Sequence, residues 1–191
     1  MRRLLTLLLL LVASPAFAHS AEGVAGGFVS GLLHPINGWD HVIAMVAVGL
    51  WGAFLGRPAI WLLPVVFPLV MAFGGALGVV GVPLPGVEIG IAVSAIVLGA
   101  MVALAARPPL WVAAAIVGVF AVFHGHAHGT ELPSAASPIA YSLGFVIATG
   151  LLHATGIALS LVTRWPHGST LVRACGGVIA ALGLVFLSRA L

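Results

Sequence analysis

The chain is a succession of long apolar stretches separated by short polar turns rich in glycine and proline. Five stretches reach the roughly 20 apolar residues that a helix needs to cross a bilayer. They cover about 59–81, 87–106, 109–127, 138–163 and 169–190. Another runs over about 40–56, preceded by a shorter apolar piece at 24–34. Between those two pieces lies His34-Pro35-Ile36-Asn37-Gly38-Trp39-Asp40-His41. Pro35 removes a backbone donor and Gly38 loosens the chain, so a continuous helix through 34–39 is not expected. The pattern predicts an all-α integral membrane protein of six transmembrane helices, with a broken or re-entrant N-terminal segment before the first full span.

Composition agrees with this reading. The chain is 62% hydrophobic and only 6% charged, with a mean hydropathy of +1.25, whereas a soluble domain carries about 25% charged residues. All seven basic residues are arginines, scattered along the sequence, and the formal charge is +3. No basic stripe is present to neutralise phosphates, which argues against a nucleic-acid partner. The lone Cys175 excludes an intramolecular disulfide and a thiolate-rich metal site.

Residues 1–18 read as a cleaved secretory signal peptide. Arg2 and Arg3 form a positive start, Leu4 to Val12 an apolar centre, and Ala16-Phe17-Ala18 a small-x-small cleavage box. Residues 19–191 then form a single transmembrane domain whose first residue, His19, faces the periplasm. Six crossings from that start place Arg57, Arg107, Arg164 and Arg173 on the cytoplasmic side, with only Arg189 outside. This satisfies the positive-inside rule, and counting 24–34 as a separate span would invert it. The expected location is a bacterial inner membrane. Glycines such as Gly74, Gly75, Gly78 and Gly81 suit close packing of membrane helices.

Chemistry concentrates in histidines. Asp40 is the only aspartate of the chain and adjoins His41, six residues after His34. A second group, Phe123-His124-Gly125-His126-Ala127-His128-Gly129-Thr130-Glu131, puts His124 and His128 on one helical face and His126 elsewhere. The threading brings both groups to the outer side of the membrane. A single histidine in such a place is ordinarily structural. Five histidines and two acids in two motifs at one depth point instead to a site for a divalent ion. The candidate metal residues are His34, Asp40, His41, His124, His128 and Glu131, with Asp40 either a ligand or the group that orients His41. Met45, one turn below His41, reads as apolar lining.

Two further histidines extend the set. His153 lies deep in the fifth span, in a Gly-Leu-Leu-His segment that repeats residues 31–34, and reads as a second station for an inward-moving ion. His19, freed by cleavage, can chelate a metal through its amine and imidazole together.

These residues resemble the HupE/UreJ family of bacterial membrane proteins. Its pattern is similar to His34, Pro35, Gly38, Asp40, His41, Met45 and Val48-Gly49-Leu50-Trp51, then to Phe123 through Glu131, and to Gly150 through His153. The resemblance implies a secondary permease for nickel, or alternatively cobalt, that supplies hydrogenase or urease maturation. Ni2+ or Co2+ would be the transported ion, and no prosthetic group is implied. The first motif is also similar to the His-x4-Asp-His helix of nickel/cobalt transporters, but five residues here separate His34 from Asp40 and one of them is proline.

Two rival classes also fit a histidine-rich membrane chain. One is a membrane metal sensor or chaperone that binds without transporting. The other is an intramembrane enzyme, but no His-Glu-x-x-His motif occurs and the close His/Asp grouping suits a bis-histidine haem poorly. The expectation is a transporter and not an enzyme.

Overall fold

The computed structural model describes residues 23–132 and 137–191. The expected signal peptide and His19 lie outside the described residues. Within them the regular structure is entirely helical, with seven α-helices, one 3-10 turn and no strand. The helices are α1 (Gly23–Asn37), α2 (Trp39–Leu55), α3 (Ala59–Val79), α4 (Val87–Ala103), α5 (Leu110–Thr130), α6 (Pro138–Ser160) and α7 (Gly168–Ala190). The 3-10 turn, Leu161–Arg164, extends α6.

The break between the first two helices falls within the expected 34–39 stretch, at Gly38, while the apolar piece expected to end at 34 runs three residues further. α1 continues through His34 and Pro35 to Asn37, and only Gly38 is extended, at φ −97° and ψ 108°. The two axes meet there at 81°. Packing overrides the proline: Gly31 lies directly against the Tyr141 carbonyl and Gly144 against that of Phe28, which holds α1 along α6. Loss of one backbone hydrogen bond near a helix end is small beside that contact.

Four helices are long and apolar enough to cross a membrane: α3, α5, α6 with its 3-10 extension, and α7. The bent pair α1–α2 counts as a fifth if taken as one span. The expected span 87–106 is shorter than anticipated. α4 holds 17 residues, about 25 Å at 1.5 Å each, against a hydrocarbon core of about 30 Å. It stops because Ala105 turns the chain at φ 49° and Pro108 and Pro109 follow. Six full-length spans are therefore not what the helix lengths provide.

α2 occupies the centre, touching α3, α4 and α6, while α3 pairs with α5, α4 with α7 and α1 with α6. Its Ala44, Met45, Ala47, Val48, Leu50 and Trp51 are all buried, as a helix apolar on every side must be. Trp51 donates its indole N–H to the Ala106 carbonyl at 2.9 Å, tying α2 to the α4–α5 turn. Small residues make the close approaches. Gly49 and Gly156 join α2 to α6, and Gly125 and Gly129 seat α5 against the Met71 and Gly75 carbonyls of α3. Leu69, Phe73, Trp111 and Ile139 face outward, a surface that lipid covers without penalty and water does not.

Candidate metal centre

The Gly38 bend folds the Asp40–His41 pair back over the backbone. A Cβ at position 38 would stand 2.9 Å from Asp40 Oδ1 and 3.2 Å from His41 Nδ1, so the pair needs glycine there. Asp40 lies in the first turn of α2, where the helix dipole favours a carboxylate. Its Oδ1 accepts the His41 ring Nδ1–H at 3.0 Å. That fixes the tautomer and leaves Nε2 as a bare lone pair, which is buried without any partner.

The close α3–α5 contact brings the end of α5 to the same place. The rings of His124 and His128 lie 4.5 and 4.2 Å from that of His41, centroid to centroid. His34, at the end of α1, reaches from the other side, its ring 4.9 Å from that of His128. It donates Nε2–H to Glu131 Oε2 at 2.9 Å, while His128 Nδ1 stands 3.7 Å from the same oxygen. One ligand atom from each of His34, His128 and Glu131 falls within 4.8 Å of the others. Glu131 lies just past α5. The His128 imidazole, and His34 after it, hold its carboxyl down to about 2, against a partial burial that pushes the other way.

A cavity of about 430 Å³ opens over this group, lined among others by His34, Asp40, His41, Glu88, His128 and Glu131. Beside and below it the polar accounting is incomplete. His41 Nε2, His124 Nδ1 and both ring nitrogens of His128 are buried with no hydrogen-bond partner. Buried polar groups are paired in the great majority of cases, and an orphan costs about 1–3 kcal/mol. Imidazole nitrogens with carboxylates beside them are the donor types a borderline divalent cation takes. Among the described residues, His34, His128 and Glu131 are the set whose ligand atoms already stand close enough for one ion.

The remaining histidines divide. His126 donates Nε2–H to the Val82 carbonyl at 2.7 Å, which ties α5 to the α3–α4 loop and takes the ring out of the group. His153, 1% exposed on α6, lies apart from the cluster, and neither of its nitrogens has a partner. The Phe67 ring stands against both levels, 5.6 Å from the His124 ring and 5.4 Å from that of His153. The two Gly-Leu-Leu-His segments are not equivalent in their surroundings. Gly31 meets the Tyr141 backbone, whereas Gly150 faces open space.

Four residues here did not stand out in the sequence. Glu88, in the first turn of α4, was visible as one of only four acids. Phe67 looked like any lipid-facing aromatic. Ser94 beside His124 and the buried, unpartnered Thr149 one turn before His153 gave no signal, because small hydroxyl residues are common in membrane helices.

Comparison with known proteins adds an independent line. The family model described as HupE / UreJ protein matches residues 7–186. "Protein HupE" of Rhizobium leguminosarum bv. viciae is 44% identical over 184 residues, covering 96% of each chain. No solved structure matches. A match along nearly the whole length, spanning both histidine motifs, means that this membrane protein belongs to the HupE/UreJ family.

Proposed function

We propose that the chain is a permease that takes up a divalent transition metal, nickel foremost and cobalt as the alternative, across a bacterial inner membrane. The observation that carries this reading is the set of four buried, unpartnered imidazole nitrogens on His41, His124 and His128. Family membership supports the nickel assignment and a hydrogenase or urease maturation system as the destination. The mature N-terminus would lie in the periplasm. The helices would cross six times, with α4 as a short crossing and the bent α1–α2 pair opening the site outward.

In this mechanism the ion sheds water at the mouth, where Glu88, Asp40 and Glu131 supply negative charge. It is held by His41, His124 and His128, with His34 at the rim. Asp40 acts on the ion through His41, because its Oδ1 already holds the Nδ1–H of that ring. Displacement of the Phe67 ring would then open the way to His153 and Thr149 by ligand exchange. Since the sequence carries no nucleotide-binding motif, movement would follow the gradient of the ion, be coupled to another ion or need a partner.

The test is influx into proteoliposomes loaded with a metal-sensitive dye. Wild-type protein should admit Ni2+, and His41→Ala should not, at equal protein incorporation. Binding without entry in the wild type would favour a sensor or chaperone, and normal influx through His41→Ala would overturn the site.

A further inference from the structure

Ser94 is fully buried on α4 and stands against the His124 ring. Its hydroxyl donates to the Ile91 carbonyl at 2.6 Å, one turn back on the same helix. The same oxygen stands 2.8 Å from His124 Nε2. A serine hydroxyl has one proton. With that proton on the Ile91 carbonyl, the oxygen can only accept from the imidazole, so Nε2 carries the hydrogen and Nδ1 is bare. The opposite arrangement would bury an Nδ1–H with nothing to receive it, because Nδ1 has no partner.

We propose that Ser94 is a positioning residue that locks His124 in its Nε2–H tautomer and presents the Nδ1 lone pair to the metal ion. The inference rests on the proposed metal site and assigns a role there to a residue that touches no ion. It also makes the two facing ligands unequal. His41 is backed by a carboxylate, which raises the donor strength of its ring, whereas His124 is backed by a neutral hydroxyl, which does not. The deeper ligand is thus the weaker one, a difference that suits release toward the cytoplasmic side.

The test has two parts on the full-length protein in detergent. Nitrogen NMR of metal-free wild type labelled with ¹⁵N-histidine, assigned by comparison with His124→Gln, should show His124 protonated on Nε2. Protonation on Nδ1 overturns the proposal. Co2+ titrations should then give about 10–100-fold weaker binding for Ser94→Ala, with recovery in Ser94→Thr, which keeps the hydroxyl. Wild-type affinity in a folded Ser94→Ala overturns it too. If Ser94→Ala does not fold, the wild-type tautomer alone decides. A wild type that binds no Co2+ refutes the metal site itself, a result the tautomer measurement keeps separate from the role of Ser94.

Discussion

One oxygen of Asp40 accepts two hydrogen bonds from a single neighbour, the backbone N–H of His41 at 2.8 Å and its ring Nδ1–H at 3.0 Å. The carboxylate therefore stabilises the start of α2 and holds the imidazole with its Nε2 lone pair free. Asp40→Asn retains an acceptor and loses the charge. Its Ni2+ affinity should fall by about 10–100-fold with stoichiometry unchanged, as read by isothermal titration. An altered Co2+ ligand-field spectrum in this variant would show instead that Asp40 binds the ion directly.

Gly38→Ala should disrupt the same pair from behind. The added Cβ would stand 2.9 Å from Asp40 Oδ1, closer than side-chain carbons approach. The fold does not depend on this contact, so melting in detergent should change little while metal affinity drops as far as in Asp40→Asn. An unchanged affinity would mean that the bend has room to spare.

Gly125→Ala addresses the scaffold. Its Cβ would meet the Met71 carbonyl, main chain that cannot step aside. α3 and α5 must then separate, at a cost of about 1–3 kcal/mol, and His124 and His128 move with α5. A lowered melting temperature accompanied by loss of binding is expected, in contrast to Gly150→Ala, where the added carbon meets nothing.

The pH dependence follows from which group titrates first. With its carboxyl held at about 2 rather than near 4.5, Glu131 contributes fully above about pH 4.5 and loses its contribution only as pH falls toward 2. Imidazoles bind metal only when neutral, so Ni2+ binding should fall once acid protonates the ligand rings. Glu131→Gln should weaken binding at every pH. Unchanged affinity in Glu131→Gln above about pH 4.5 would contradict this arrangement.

His153→Ala separates binding from passage. The outer cluster and its hydrogen bonds do not involve His153. Equilibrium affinity for Ni2+ should stay near wild type while proteoliposome influx falls at least tenfold. Normal influx would remove the inner station from the route.

Much of this organisation was legible in the chain. Apolar stretch lengths located α3, α5, α6 and α7 within a few residues, because hydropathy is a property of each segment by itself. Residue type and spacing singled out His34, Asp40, His41, His124, His128 and Glu131, since ionisable groups are rare in a sequence with only 6% charged residues. Local rules placed the bend within 34–39, where Gly38 breaks the helix, but not the last turn of α1, which the contact with α6 carries past Pro35 to Asn37. The length of α4 was overestimated because apolar composition continues through Leu104 and Ala105, beyond the turn that ends the helix.

The sequence by itself determined that the chain is helical, membrane-embedded and supplied with imidazoles and carboxylates at two points. Only the tertiary structure decided how those groups pair. Glu131 meets His34 across 97 positions, and Ser94 meets His124 across 30. Phe67 is set between two levels of histidine by the packing of α3 against α5. A tautomer depends on which hydrogen-bond partner reaches which ring nitrogen. That choice is made by helices distant in sequence, so no local pattern encodes it.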